Sequence, residues 1–264
     1  MRTEFDRAYV AAHGKVAVLT FNHPEMLNAA SARMIRGLIA GLDQIEASGF
    51  RALVLTGEGR GFCSGANLTE PPEPQPDGSA SGAGDALEST YHPFIRRLRD
   101  TPLPIVSAVN GAAAGIGMSY ALMGDLVIAA RSAYFLQAFS RLGLVPDGGS
   151  TWLLPRLIGL ARARELALLA EKLPAETALE WGLINRVADD ARLMEEALAL
   201  ADRLANGPAA LSMTRKLFWE SPHRSFEDQM TLEARTQQQA GQTEDFMEGL
   251  GAFLQKRPPA FRGR

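Results

Sequence analysis

The chain has 264 residues, 46% hydrophobic and 22% charged, with a net charge of −3. Those values fit one large globular domain, or a domain with an appendage, and exclude a disordered or fibrous chain. No basic stretch marks a nucleic-acid surface, and no apolar run is long enough for a bilayer-spanning helix.

The single cysteine, Cys63, excludes an internal disulfide framework and fits a reducing compartment. The N-terminal stretch MRTEFDRAYV is charged and lacks the apolar core of a secretory signal. A cytoplasmic location, with no nucleic-acid or membrane partner, is the expectation.

In chain order, Val16–Phe21 is β-rich and reads as a strand, broken by Asn22-His23-Pro24-Glu25. Leu27, Met34, Leu38, Leu42 and Ile45 recur at helical spacing, which predicts an amphipathic helix over 31–48. Residues 51–56 predict a more buried strand. The Pro/Gly/Ser-rich stretch 70–86 is too polar to bury and predicts a mobile surface loop within one domain. A helix is expected near Tyr91 to Leu98, then strands at 105–109 and 126–129. Between these, Asn110–Gly117 reads as a small-residue turn leading into a helix through about Met123. Helices are expected at 161–171, 191–206, 208–219, 225–240 and 243–256. The alternation argues an α/β fold, divided here as a core of 1–205 and a C-terminal helical region of 206–264.

Three segments could carry chemistry. Gly61–Ala66 and Gly111–Gly117 are glycine-containing turns, each after a strand. Small residues let a ligand approach the backbone, and two free amides aimed at one point make an oxyanion hole; tight helix–sheet packing explains the same spacing equally well. Gly115-Ile116-Gly117 is not a dinucleotide fingerprint, because Tyr120 stands where its third glycine belongs. Asp147, flanked by Val145-Pro146 and Gly148-Gly149, is either a general base tuned by burial or an aspartate of a turn or helix cap. Ser119 lies in Gly117-Met118-Ser119-Tyr120-Ala121, near a serine-hydrolase elbow but without its final glycine; a small helix residue beside a cavity is the simpler reading. The four histidines, His13, His23, His92 and His223, show no metal-ligand spacing and read as solvated or capping residues. Cys63 reads as a small packer.

In this order and spacing, the segments resemble the enoyl-CoA hydratase/isomerase (crotonase) family along nearly the whole chain. The resemblance is carried by Phe21-Asn22-His23-Pro24, Leu27-Asn28-Ala29, Arg51–Gly57, Phe62–Leu68, Ala108–Gly115, Gly124–Ala129 and Ala252–Arg257, and Ala138–Asp147 resembles isomerases of the family in particular. It implies a ClpP-like spiral of β-β-α turns with C-terminal helices that form a trimer or a dimer of trimers. It implies an acyl-CoA thioester as ligand, with coenzyme A as part of the substrate and no separate cofactor or metal. The implied oxyanion donors are the amides of Ser64 and Ile116, the latter following Gly115. Ala29, Ala66, Asn67 and Leu68 would lie along the CoA, and Phe253 and Lys256 would approach CoA on a neighbouring subunit. Hydratases of the family carry glutamates where this chain has Ser119 and Phe139, both expected to line the pocket. Neither replacement can titrate usefully near neutrality. Asp147, where the family's isomerases carry their acid, is left as the expected base. An acyl-CoA isomerase, shifting an enoyl double bond or rearranging an aryl epoxide through a thioester enolate, is therefore the leading expectation. The alternatives are a hydratase with atypical acid/base residues, a non-catalytic acyl-CoA-binding protein, and a serine hydrolase using Ser119.

Overall fold

The structure, a computed structural model, describes residues 2–70 and 82–264. Its strands form two sheets. The larger has seven strands in the order β1-β2-β3-β4-β6-β8-β11 (Arg2–Phe5, Ala8–His13, Val16–Phe21, Ala52–Gly57, Ile105–Val109, Leu126–Ala130, Arg186–Ala188). Neighbours from β3 onward are parallel, while β1, β2 and β3 form an antiparallel meander. The smaller sheet runs β10-β9-β7-β5 (Leu173–Pro174, Tyr134–Leu136, Ala112–Ala114, Gly61–Cys63).

The three central parallel strands of the large sheet, β4, β6 and β8, are each followed by a short strand of the small one and then by a helix. β4 and β5 lead to a helical run over 83–100, β6 and β7 to α4 (Ile116–Ala121), and β8 and β9 to α5 (Ser150–Leu169). A rudimentary first turn is visible too: after β3, Ala30 makes a single parallel bridge to Ala66 before α1 (Ala32–Ala47) begins. The result is a spiral of β-β-α turns. Then come α6 (Ala175–Glu180) and α7 (Leu193–Ala205), and finally the C-terminal helices α8 (Ala210–Glu220), α9 (Phe226–Ala240) and α10 (Glu244–Leu254).

Local sequence explains the elements that matter. Ser31 caps α1 by accepting from the Met34 amide, and Met34, Ile35, Leu38, Leu42 and Ile45 turn one stripe into the core. Burying each such side chain contributes about 1.5–3 kcal/mol. The parallel strands β4 and β6 are buried along their whole length, as strands covered on both faces must be. Phe21, Phe62, Phe94 and Tyr120 form one ring cluster, with centroid separations from 5.1 to 6.3 Å, beneath α4. Arg215 ties α8 to the core: its guanidinium donates to the Asp125 carboxylate and to the carbonyls of Leu98, Arg99 and Thr101.

Several expectations are corrected. The stretch read as a small-residue turn at 110–117 contains the strand β7, built from three alanines. The helix expected over 161–171 begins at Ser150 and bends at Gly159, where φ is 76°; Pro155 and Gly159 hid its first half. Of the loop expected over 70–86, residues 71–81 lie outside the described residues, while Ala83–Ala86 already form the short helix α2. α2 runs through a π-turn at Leu87–Tyr91 into α3 (His92–Asp100). Among the described residues no helix is long and apolar enough to cross a membrane.

Candidate active site

The site is built where β5 and β7 lie side by side and each gives way to a turn. Glycine is required on both. A Cβ on Gly111 would collide with the Arg60 carbonyl, and one on Gly117 with the Cys63 carbonyl. α4 therefore seats its first turn directly on the β5 backbone. Beyond the strands the two turns still touch: a Cβ on Gly115 would stand 3.8 Å from the Gly65 Cα, and one on Gly65 3.3 Å from the Ala114 carbonyl oxygen. Both glycines have positive φ, 114° at Gly65 and 52° at Gly115.

Amide accounting corrects one expectation. The Ser64 N–H, expected as an oxyanion donor, is spent on the Leu27 carbonyl at 3.0 Å, and the Asn67 N–H on the Ala30 carbonyl at 2.7 Å. The Ala66 N–H between them has no hydrogen-bond partner among the described residues. Across from it, the Gly115 amide is bound to the Leu136 carbonyl, while Ile116 opens α4, where the first amides have no helical partner. The open pair is thus Ala66 and Ile116, each one residue past an abutting glycine. The positive end of α4 adds to the Ile116 side. The resemblance implies Ser64, but which amide of a strand-ending turn stays open is decided by the contact with Leu27.

Asp147 stands over this turn. Gly148, with φ of 58°, packs so closely on α4 that a Cβ there would lie 2.5 Å from the Ile116 Cδ1 and 2.7 Å from the Ser119 Cβ. The helix that follows is capped by Gly149 without a side-chain bond, so Asp147 does not serve as its cap. The Asp147 Oδ1 is buried and has no hydrogen-bond partner among the described residues. Burial pushes the carboxyl pKa up from 3.8 to about 6, partly offset by the His92 ring. Half-buried Tyr91 faces the same space; its hydroxyl is held up chiefly by burial and then by the Asp147 charge. Tyr91 closes the π-turn and His92 opens α3, with the His92 Nδ1 2.9 Å from the Glu88 Oε1. Neither Tyr91 nor His92 stands out in the sequence, where His92 reads as a solvated or capping residue.

Ser119 is fully buried. Its hydroxyl donates to the Asp147 carbonyl at 3.2 Å and lies 2.8 Å from the Ser150 Oγ. Among the described residues its hydroxyl partners are the Asp147 carbonyl and Ser150, neither of them the histidine base of a serine hydrolase. Phe139 is buried with its ring 3.7 Å from the position of a Cβ on Gly115, roofing that turn. Ala29 is buried and Leu68 is 72% exposed. Asn67 is buried, with its Oδ1 accepting from the Thr69 amide and hydroxyl. Phe253 and Lys256 are exposed at the C-terminal end of α10. Beyond Gly148 and Gly149 opens a cavity of about 780 Å³, walled in part by Ile95, Met123, Trp152 and Trp219. Trp152 stacks on Trp219 and on His223. Cys63 is buried, and burial pushes its thiol up to about 12, which makes it inert as a nucleophile.

Comparison with known proteins places this arrangement. The profile of the enoyl-CoA hydratase/isomerase family matches residues 11–264. The chain is 46% identical over 251 residues to the 1,2-epoxyphenylacetyl-CoA isomerase of Escherichia coli K12, covering 94% of this chain and 95% of that protein. It is also 46% identical, over 252 residues and with the same coverage, to a Rhodobacter capsulatus protein named "Probable enoyl-CoA hydratase". Among solved structures, the enoyl-CoA hydratase of Bacillus anthracis superposes with a TM-score of 0.89 at 28% identity, covering 98% of this chain and 100% of that one. With a spiral of β-β-α turns, two abutting glycine turns and this similarity along nearly its full length, the chain belongs to the enoyl-CoA hydratase/isomerase family and has the crotonase fold.

Proposed function

We propose that the protein is an acyl-CoA isomerase that moves one proton through a thioester enolate. The Ala66 and Ile116 amides would bind the thioester oxygen, and Asp147 would be the base. The observation that carries this reading is the Asp147 carboxylate, part-buried and without a hydrogen bond among the described residues, on a turn whose next residue, Gly148, packs against Ile116, the residue that offers one of the two amides. Ionised, it removes a proton from the acyl chain. The electron pair moves onto the thioester oxygen, and the protonated carboxyl returns the same proton two carbons away. A pKa near 6 suits a group that must both take and give a proton near neutrality. Each amide is worth about 3–4 kcal/mol to the enolate-like transition state in sites of this kind.

Ser119 and Phe139 support isomerisation over hydration, since neither can hold and deprotonate a water. The cavity beyond Gly148 is walled by Trp152 and Trp219 but also by Arg99, Asp100, Lys216 and Glu220, so the acyl group is left open between a straight enoyl chain and an aryl-acetyl group rearranged from an epoxide. The test is a turnover screen over trans-2-enoyl-, trans-3-enoyl- and epoxidised aryl-acetyl-CoA esters, read by mass spectrometry. Rearrangement at constant mass supports the proposal. Rapid gain of water on crotonyl-CoA points to a hydratase with atypical acid/base residues, and tight CoA-ester binding with no turnover points to a binding protein. As a further part of the same reading, residues 206–264 cover a neighbouring copy in a trimer or dimer of trimers, and Phe253 and Lys256 meet CoA held there.

A further inference from the structure

We propose that Ser119, Ser150 and Gln137 form a positioning relay that seats the Asp147 turn on α4 and so fixes where the base stands over the two amides. The relay rests on the reading of Asp147 as the base.

All three side chains are fully buried. The Gln137 Nε2 lies 3.2 Å from the Ser150 Oγ and 3.2 Å from the Met118 sulfur; the two serine oxygens are 2.8 Å apart, and the Ser119 Oγ is 3.2 Å from the Asp147 carbonyl oxygen. Proton counting gives this chain one direction. A carbonyl has no proton, so the Ser119 hydroxyl donates to Asp147. That spends its single proton, so Ser150 donates to Ser119. Ser150 then has only lone pairs to offer Gln137, which must present its NH2 rather than its carbonyl. Had the amide been turned the other way, one Ser150 proton would have had to serve two acceptors. The relay therefore runs from Gln137 through Ser150 and Ser119 to the Asp147 carbonyl, which also accepts from the Ser150 amide at 3.0 Å.

Packing reinforces it. A Cβ on Gly148 would stand 2.7 Å from the Ser119 Cβ and 2.8 Å from its Oγ, so the turn is seated directly on this side chain. Position 119 must be small to admit the turn and must donate to hold it, and serine does both. A base displaced by about 1 Å loses on the order of a hundredfold in rate.

The experiment compares Ser119→Ala and Ser150→Ala with Asp147→Asn, using trans-3-hexenoyl-CoA and the ester that turns over fastest in the screen. In Ser119→Ala, kcat is expected to fall about 10–100-fold, with KM within about twofold because CoA contacts are untouched. The acid limb of the rate profile moves below pH 6, because a loosened turn lets water reach the carboxylate. Ser119→Cys, a weaker donor of similar size, recovers part of the loss. Ser119→Glu, too large for the turn, abolishes isomerisation without creating hydration. Carbon-13 NMR of the Asp147 carboxyl needs no turnover and is expected to show its titration at lower pH in both alanine variants. If Ser119→Ala does not fold, Ser150→Ala reads the same relay one bond earlier. An inactive Asp147→Asn beside alanine variants with unchanged kcat and titration overturns the relay alone. An active Asp147→Asn overturns both the relay and the assignment of the base.

Discussion

Replacing Asp147 by asparagine should make the protein more stable while it destroys the chemistry. An ordinary aspartate titrates near 3.8 and Asp147 near 6, a difference of about 2 pH units at about 1.4 kcal/mol each. Holding the ionised form in place thus costs close to 3 kcal/mol, reduced to about 2 kcal/mol because solvent still reaches part of the carboxylate. The sign follows from linkage. The folded pKa lies above the unfolded one, so the native state is favoured while both forms are protonated. That advantage is lost as pH rises from about 4 through 6. Asparagine carries no charge and escapes the loss. In thermal unfolding followed by circular dichroism, the asparagine variant should match the parent near pH 4. It should melt about 5 °C higher at pH 7.5, taking about 2–4 °C per kcal/mol for a chain of this size. A difference in Tm that is the same at both pH values would refute the argument, because it would mean that the carboxylate carries no burial penalty.

Three other outcomes can be checked directly. The kcat/KM of the parent should rise as pH increases through about 6 and then level off, since the base works ionised; a flat profile between pH 5 and 8 would count against it. Gly117→Ala should cost at least about 1–3 kcal/mol in urea unfolding because its methyl meets the Cys63 main chain. In folded protein it should also lower kcat about 100-fold by shifting the Ile116 amide. Tyr120→Phe should be neutral or stabilising by up to about 1 kcal/mol, since the Tyr120 hydroxyl is buried without a partner among the described residues. A clear loss of stability by calorimetry would show that it does have one.

The regular elements with strong periodicity were legible from residues alone. The strand expected at 105–109 is β6, and the helix expected over 31–48 is α1 to within a residue at each end. What stayed hidden was structure held by contacts distant in sequence. β7 is three alanines, poor strand formers that become a strand because only small side chains let β5 and α4 close in. At the site, the family resemblance points to Ile116 and Asp147, but it does not decide between the Ser64 and Ala66 amides. That choice depends on Leu27 reaching across from a different turn of the spiral to occupy Ser64. Gln137 and Ser150 are likewise invisible in sequence, because 13 residues separate the two ends of that hydrogen bond.

The missing side chains of Gly111 and Gly117 have a consequence for how this protein can change. Main chain rests on main chain there, at Arg60 and at Cys63, so the spacing of the two turns is fixed by van der Waals contact between backbones rather than by the size of an intervening side chain. Ile95, Met123, Trp152 and Trp219 belong to the cavity and take no part in that seam. The walls of that cavity can therefore vary by ordinary substitution while the two turns keep their spacing, and drift at either glycine has no such freedom.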